Sequence, residues 1–272
     1  MSSYKGKTAL VTGASSGIGA AFARELARRG MHLILVARSA DKLRQLAADL
    51  TATYGVRAEV LPCDLGADGA VERVCAEVAQ RGLSVDLLVN NAGFASHGRF
   101  EELAAARDRE LVMVNVAALV DLAHAFVPQL LARRGAVINV ASILAYTPTP
   151  YMAVYGATKA FVTSFSAALA EEYRGRGLRV LALCPGATDT GFFEVAGSDS
   201  MVLGRKRSPK QVVSTALRAL ERGQSVAIDG AANALMAISS KLAPFALAAL
   251  VTGWITRPRP AAKPGAAARH AR

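Results

Sequence analysis

Residues 8–19 read TALVTGASSGIG, an apolar run that passes directly into a glycine-rich turn. The run predicts a buried strand, and the amphipathic pattern over 18–29 predicts a helix immediately after the turn. Glycine suits such a turn because it permits a sharp change of direction and a close approach to the backbone. The stretch therefore predicts a strand, a tight turn and a helix in succession.

Short apolar runs alternate with longer amphipathic stretches along most of the chain. Further strands are predicted at 32–37, 58–62, 86–89, 136–141, 179–184 and 225–228. Helices are predicted at 18–29, 40–54, 70–80, 107–131, 151–174 and 209–222. Runs such as LILV at 33–36 are apolar on both faces, so helices must cover both sides of the sheet. The alternation predicts an α/β, doubly wound (Rossmann) fold with a mostly parallel seven-stranded sheet and helices on both faces.

The region after residue 230 has a different composition. We divide the chain into one dinucleotide-binding catalytic domain over 1–230, an apolar helical segment over 231–256 and a basic tail, predicted to be disordered, over 257–272. The apolar length approaches a membrane span, but Lys241 and Pro244 interrupt it. Three alternatives stay open: a helix covering the active site or a subunit interface, peripheral contact with a membrane, and a true span.

Charge and cysteine content restrict the class of protein. The net charge of +11 lies in short clusters and not in a continuous stripe with aromatics, which disfavours nucleic-acid binding. An anionic cofactor or an acidic membrane surface fits this charge better. Three separated cysteines and four histidines without metal-binding spacing predict neither disulfides nor a metal site. The first seven residues do not resemble a signal peptide, so we predict a cytoplasmic location, with membrane association left open.

The glycine-rich turn is a candidate phosphate site. A helix start presents free N–H groups and the positive end of its dipole, which suit a pyrophosphate. A purely structural turn is the alternative, and the spacing G-x-x-x-G-x-G differs from the common G-x-G-x-x-G fingerprint. The residues predicted to bind the cofactor here are Gly13, Ser15, Ser16, Gly17, Ile18 and Gly19.

The end of the second strand indicates which dinucleotide binds. An acidic residue at this position holds the ribose hydroxyl of NAD, whereas an arginine accommodates the 2′-phosphate of NADP. Here Arg38 and Ser39 follow the strand, and no carboxylate occurs before Asp41. The sequence therefore favours NADP(H) over NAD(H), with Arg38 and Ser39 as phosphate ligands.

A tyrosine and a lysine are the candidate proton-transfer groups. Tyr155 and Lys159 are four residues apart, so a helix places them on one face. A nearby ammonium is expected to lower the pKa of a phenol and to make it a usable acid or base. Ser142 follows the fifth strand, at the edge where ligands bind in open α/β sheets, and its hydroxyl can polarise a reacting oxygen.

Together these motifs resemble the short-chain dehydrogenase/reductase family. The resemblance rests on the loop from Thr12 to Gly19, on Asn90-Asn91-Ala92-Gly93, on Ser142 and on the pair Tyr155 and Lys159. Weaker matches are Asp64-Leu65 and Pro185-Gly186 with Thr188 and Thr190, and together they cover residues 8 to about 190. The branch that it resembles contains long-chain ketoacyl and hydroxysteroid reductases.

The resemblance implies roles for further residues. Asp64 and Leu65 would flank the adenine, Asn90 would stabilise the sheet, and Asn115 would hold a water in a proton relay with Lys159. Lys159 would also bind the nicotinamide ribose, and Thr188 or Thr190 the carboxamide. The remaining positions that the resemblance assigns to cofactor binding are Asn91, Ala92, Gly93, Tyr155, Pro185 and Gly186. The family also implies a homo-oligomer.

The sequence therefore predicts an NADP(H)-dependent oxidoreductase acting on a carbonyl or a secondary alcohol. Its substrate is expected to be small and hydrophobic, because the pocket segments at 143–146 and 187–204 are mostly apolar and include Phe192, Phe193, Val195 and Met201. One alternative is a non-catalytic, dinucleotide-sensing protein on the same fold. Another is a protein that acts at membrane surfaces through its basic, apolar C-terminal region.

Overall fold

The computed structural model describes residues 4–190 and 206–258, except for the side chain of Lys241. Within these residues one sheet runs in the order β3-β2-β1-β4-β5-β6-β7. Every pair of neighbouring strands in it is parallel. The strands are β1 Thr8–Thr12, β2 His32–Ala37, β3 Ala58–Pro62, β4 Leu87–Asn90, β5 Ala136–Val140, β6 Arg179–Cys184 and β7 Val226–Ile228. The predicted fold class is thereby confirmed.

Helices connect the strands and cover the sheet. They are α1 Gly17–Arg28, α2 Ala40–Tyr54, α3 Ala70–Gln80, α4 Ala105–Val112, α5 Ala118–Ala132, α6 Ala153–Glu172, α7 Pro209–Glu221, α8 Ala231–Leu242 and α9 Phe245–Thr256. Short 3₁₀-helices form at Phe100–Glu102 and Ile143–Tyr146. The helices α1, α2 and α7 pack on one face of the sheet, and α3 and α5 pack on the other.

The core explains why the strands are apolar at consecutive positions. Along β1, Ala9 and Val11 belong to the cluster on one face, and Leu10 belongs to the cluster on the other. All three side chains are fully buried. A side chain alternates between the two faces of a strand, so a sheet covered twice needs apolar residues at successive positions.

A continuous helical run over residues 105–132 contains an irregular turn. Between α4 and α5, Met113–Ala117 forms a π-helical turn, a feature often found at functional sites. The run of 28 residues is long and apolar enough to cross a membrane, but half of its most apolar window is buried inside the domain. We therefore interpret it as a core helix of the domain. Its π-helical turn faces the site described below.

The apolar region 231–256 forms two helices and not the single helix expected from the sequence. Pro244 separates α8 from α9 because it has no N–H, and Ala243 before it adopts an extended conformation, with ψ of 144°. Hydrogen bonds attach α9 to the domain: Thr252 Oγ1 lies 2.9 Å from Thr147 Oγ1, and Thr256 Oγ1 donates to the carbonyl of Pro150 over 2.8 Å. Both helices lie over the opening of the cavity described next.

Candidate active site

A cavity of about 940 Å³ lies at the carboxyl ends of the strands. Its walls come from the segments that follow β1 to β6, and residues of α8 and α9 form the remaining side. This is the edge at which ligands bind in doubly wound folds. The positions of the predicted cofactor and catalytic residues are therefore described relative to this one cavity.

The glycine-rich turn forms one end of the cavity. Gly13, Ser15, Ser16, Gly17 and Ile18 line it, and Ser16 is the residue from which α1 begins. Gly19 is not among the lining residues, and a Cβ there would lie 2.2 Å from the carbonyl oxygen of Gly13, so it allows the turn to pack closely. The first turn of α1 contains no acidic side chain, so its free N–H groups can donate hydrogen bonds to an anion.

Cationic and polar residues form the next part of the wall. Arg38, Ser39 and Lys42 line the cavity beyond β2, and Asp64 and Leu65 line it beyond β3. Lys42 was not predicted as a site residue, although its position in the first turn of α2 follows directly from Arg38 and Ser39. Arg38 Nη1 lies 3.6 Å from a carboxylate oxygen of Glu110 on α4, so this guanidinium already has an acidic neighbour.

The segment after β4 supports the glycine-rich turn. Asn91 donates from its side chain to the carbonyl oxygens of Thr12 and Gly13, over 2.9 and 3.3 Å. Asn91, Ala92 and Gly93 also line the cavity. Asn90 instead lies within the sheet, where its side chain donates to Asn139 Oδ1 over 2.9 Å. Its position fits the sheet-stabilising role that the resemblance implies.

Ser142, Tyr155 and Lys159 lie together in the wall of the cavity and are all buried. Ser142 follows β5 and hydrogen-bonds to the Tyr155 side chain. The Lys159 ammonium lies 5.8 Å from the centre of the Tyr155 ring and donates to the carbonyl of Val140 over 2.8 Å. The spacing of four along α6 thus puts the phenol and the amine on the same side of the helix, facing the cavity.

The pKa of Tyr155 differs from the expectation. The ammonium of Lys159 was expected to lower this pKa. Burial instead raises the pKa of Tyr155 to about 12, and the hydrogen bond with Ser142 lowers it by a smaller amount. Burial also lowers the pKa of Lys159 to about 8, because it disfavours the charged amine. Desolvation is the largest cause of both pKa shifts, and the phenol stays protonated at neutral pH.

Asn115 lies in the π-helical turn and is almost fully buried. Its Oδ1 accepts from the backbone N–H of Phe94 over 3.1 Å, and its Nδ2 donates to the Phe94 carbonyl and to Thr158 Oγ1. Gly93 lies beside this side chain, since a Cβ there would be 2.8 Å from Asn115 Oδ1 and 3.5 Å from Lys159 Nζ. Asn115 thus joins the loop after β4 to the helix that carries Tyr155 and Lys159.

The segment after β6 and the start of α8 complete the cavity, and α8 contributes a residue that was not predicted. Pro185, Gly186, Thr188 and Thr190 line the cavity, as does Asn233 on α8. Asn233 donates from its side chain to the carbonyl of Asp229 over 2.6 Å. Asp229 is fully buried and accepts from Arg207 and Thr215, each over 2.6 Å. The Asn233 side chain also lies close to Gly186. No sequence motif links these two residues, so only the fold could reveal their contact.

A Gly186→Ala substitution is expected to lower the free energy of unfolding by roughly 1–3 kcal/mol through overpacking. The added Cβ would lie 2.2 Å from Asn233 Nδ2, which its hydrogen bond to Asp229 keeps in place. In an Asn233→Ala background the same change should have little effect, because the obstructing amide is gone. Urea denaturation of the two single variants and the double variant measures this coupling. An equal loss in both backgrounds would contradict the predicted contact.

The described residues include only part of the predicted substrate pocket. Phe192, Phe193, Val195 and Met201 lie outside the described residues. The apolar residues 143–146 are described, and Ile143 and Leu144 line the cavity, whereas Ala145 and Tyr146 face a separate surface depression. Apolar side chains that line the cavity on the side of α8 and α9 include Ile143, Leu144, Met152, Met236, Leu247, Ala248, Val251 and Ile255.

The arrangement of sheet, turn and Ser-Tyr-Lys group agrees with the family matches. Residues 7–200 match the family model for short chain dehydrogenase, and the chain belongs to this family. The chain is 36% identical over 187 residues to the very-long-chain 3-oxoacyl-CoA reductase of Anas platyrhynchos, with 66% of this chain and 59% of that protein aligned. It is 34% identical over 183 residues to the inactive hydroxysteroid dehydrogenase-like protein 1 of Homo sapiens, covering 66% and 55%.

These names confirm the predicted resemblance to the ketoacyl and hydroxysteroid branch, and the chain spans little more than half of either relative. Among solved structures, a short-chain dehydrogenase from Sphingobium yanoikuyae in complex with NADPH matches with a TM-score of 0.78 and 34% identity. That match covers 94% of this chain and 97% of the other. The chain therefore shares its family and its fold with a protein whose structure contains NADPH.

Proposed function

We propose that the chain is an NADP(H)-dependent oxidoreductase that interconverts a hydrophobic carbonyl and a secondary alcohol, with Tyr155 as its general acid and base. The observation that supports this most directly is that Ser142, Tyr155 and Lys159 line the same cavity as the glycine-rich turn. Membership of the family supports the oxidoreductase class. The proposal adds the cofactor preference, the proton donor and the substrate class.

The residues at both ends of the cavity fit a phosphorylated dinucleotide. The N–H groups at the start of α1 would bind the pyrophosphate, and Arg38, Ser39 and Lys42 would bind the 2′-phosphate. Nicotinamide supplies a hydride when it is bound. The NADPH in the Sphingobium yanoikuyae structure supports this choice for a relative of this chain. The proposed ligands of the adenine and nicotinamide ends are Asp64, Leu65, Asn91, Ala92, Gly93, Tyr155, Lys159, Pro185, Gly186, Thr188 and Thr190.

Tyr155 would supply the proton in reduction. Its pKa of about 12 keeps the phenol protonated, and the hydrogen bond with Ser142 holds the two hydroxyls close together in the cavity wall, where a carbonyl oxygen could bind beside both. As the phenol loses its proton, the Lys159 ammonium 5.8 Å from the ring favours the anion that forms. This combination suits proton donation, and therefore reduction, at neutral pH.

Asn115 is proposed as a positioning residue with a part in proton supply to Lys159. Its side chain holds Phe94 and Thr158 in place, and Thr158 Oγ1 in turn donates to the Tyr155 carbonyl over 2.8 Å. The relay that the family resemblance implies would run from this amide toward Lys159. The proximity of Gly93 to both side chains supports the route.

The substrate is proposed to be a hydrophobic ketone, with fatty-acyl and steroid-like carbonyls as the leading classes. Aliphatic side chains from Ile143, Leu144, Leu247, Val251 and Ile255 line the region on the α9 side of the site. Such a wall offers few hydrogen bonds to the hydroxyls of a sugar, so their desolvation would not be offset. The name of the Anas platyrhynchos relative, a very-long-chain 3-oxoacyl-CoA reductase, supports the acyl alternative.

A series of ketones of increasing chain length tests the substrate class. With NADPH in excess, kcat/KM should rise by roughly three- to fourfold for each added methylene until the apolar wall is filled. A polyhydroxylated ketone of equal carbon number is the matched control and should react slowly. A flat series, or a preference for the hydroxylated ketone, would refute the hydrophobic substrate while leaving the oxidoreductase class intact.

A non-catalytic role in dinucleotide sensing is the second candidate. It is favoured by the name of one relative, the inactive hydroxysteroid dehydrogenase-like protein 1. Against it, this chain retains Tyr155 and Lys159, and both line the cavity beside Ser142. NADPH binding without oxidation of any ketone in the series would favour this candidate. Assembly as a homo-oligomer and a cytoplasmic location stay predictions.

A further inference from the structure

The outward sides of α8 and α9 form an apolar surface, which we call the outer face. Its members are Leu235, Ile238, Leu242, Leu250 and Trp254, and Phe245 is exposed at the start of α9. Leu242, Phe245 and Trp254 are each at least 80% exposed, which is unusual for such large apolar side chains. The helix α9 contains no charged residue, and a helix that is apolar on all sides needs an apolar environment on each of them.

The outer face continues into the cavity. Met236, Leu247 and Val251 line the cavity and are also 41%, 51% and 53% exposed. They therefore form an apolar rim between the cavity wall and the outside. On the inner side, Ala248, Thr252 and Thr256 are buried against the domain, which fixes which way α9 faces.

The part of the chain that contains these helices carries charge of one sign. Asp229 is the last acidic residue of the sequence, so residues 230–272 carry no negative side chain. Arg257 follows α9 directly, and the sequence after it contains Arg259, Lys263, Arg269 and Arg272. A surface that combines exposed apolar side chains with adjacent cations matches the composition of an anionic lipid interface.

We propose that the outer face docks on an anionic lipid bilayer, with α8 and α9 lying in the interface and the apolar rim facing the lipid. A second copy of the chain fits less well, because a symmetric contact through this face would bring together two regions that carry cations and no acidic side chain. Docking would cover the exposed apolar side chains and bring Arg257 close to lipid headgroups. The proposal goes beyond the reductase activity and does not depend on it.

Trp254 allows a direct test, since it is the only tryptophan in the chain. The full-length protein is titrated with vesicles containing phosphatidylglycerol, without cofactor or substrate, and tryptophan emission is recorded. We expect a blue shift and quenching by lipids brominated on their acyl chains. Binding should be about tenfold or more tighter than to neutral phosphatidylcholine vesicles and should weaken at high salt.

Two variants locate the contact. Leu250→Glu replaces an outer-face residue that does not line the cavity, and it should weaken vesicle binding by about tenfold or more. Tyr54→Glu is the matched control, because Tyr54 is a partly exposed aromatic residue at the end of α2. It should bind vesicles as the unmodified protein does. Quenching in the unmodified protein supports the proposal independently if Leu250→Glu fails to fold.

Three results would overturn the proposal. One is Trp254 emission that neither shifts nor is quenched with any vesicle. Another is equal binding to neutral and anionic vesicles, which would remove the role of the cations. A third is a blue shift that follows protein concentration without lipid, together with a doubled mass in solution, which would assign the face to a second copy. Because no step involves turnover, each of these results is distinct from a failure of the reductase proposal.

Discussion

A Tyr155→Phe variant is expected to lose turnover by roughly 10²–10⁴-fold while it still binds NADPH nearly as well as the unmodified enzyme. The change removes only the hydroxyl, and the ring keeps its packing against Phe94, Leu111 and Met152. The proton that completes alcohol formation then has no donor at this position. Ketone-dependent NADPH oxidation measures the loss, and a fluorescence titration measures cofactor binding.

Tyr173→Phe is the matched control for this experiment. Tyr173 ends α6, where it contacts the Arg176 guanidinium, and it does not line the cavity. The same chemical change there should leave turnover unchanged. If Tyr155→Phe retains turnover close to that of the control, the proton comes from another group and the proposed role of Tyr155 is wrong.

An Arg38→Asp variant is expected to bind NADPH on the order of 100-fold more weakly, with a much smaller effect on NADH. The substitution removes a guanidinium that can bind the 2′-phosphate and replaces it with a repelling carboxylate. That carboxylate would lie close to Glu110, whose oxygen is already 3.6 Å from Arg38, so the local potential would become strongly negative. An NADH ribose hydroxyl can instead donate to the new carboxylate.

Titrations at fixed ionic strength separate this effect from the change in net charge. Arg44→Asp is the control, since Arg44 lies on the exposed side of α2, pairs with Asp41 and does not line the cavity. It alters the total charge by the same amount and should change both affinities little. Equal losses of NADPH and NADH affinity in Arg38→Asp would refute the assignment of NADP(H) as the preferred cofactor.

The sheet could be predicted closely because its strands are bounded by clear changes in composition. The predicted limits of β1, β2, β3 and β6 agree with the structure, and those of β4, β5 and β7 differ by one residue at one or both ends. A strand buried on both faces must be continuously apolar, so its ends are visible in the sequence. The grouping of Ser142, Tyr155 and Lys159 was predictable for a similar reason, since strand ends and a four-residue helical spacing determine it.

Other features depend on the environment that the fold creates. The opposite shift in the pKa of Tyr155 arises because the phenol is buried, and burial at a given position cannot be read from local spacing. Asn233 reaches Gly186 only because the fold brings α8 to the segment that follows β6. The division of 231–256 into α8 and α9 had a visible signal in Pro244, but the apolar composition on both sides of it suggested a single helix.

The π-helical turn at Met113–Ala117 imposes a length requirement on the run from 105 to 132. Such a turn contains one residue more than an α-helical turn, and each residue of an α-helix advances about 100° around the axis. Removing a residue such as Val116 would rotate the two halves against each other by that angle. Either Leu122 and Phe126 would leave the sheet, or Asn115 would turn away from Phe94. The segment looks like an uninterrupted helix, but the parts before and after the π-helical turn have different helical registers. It is therefore intolerant of a single deletion.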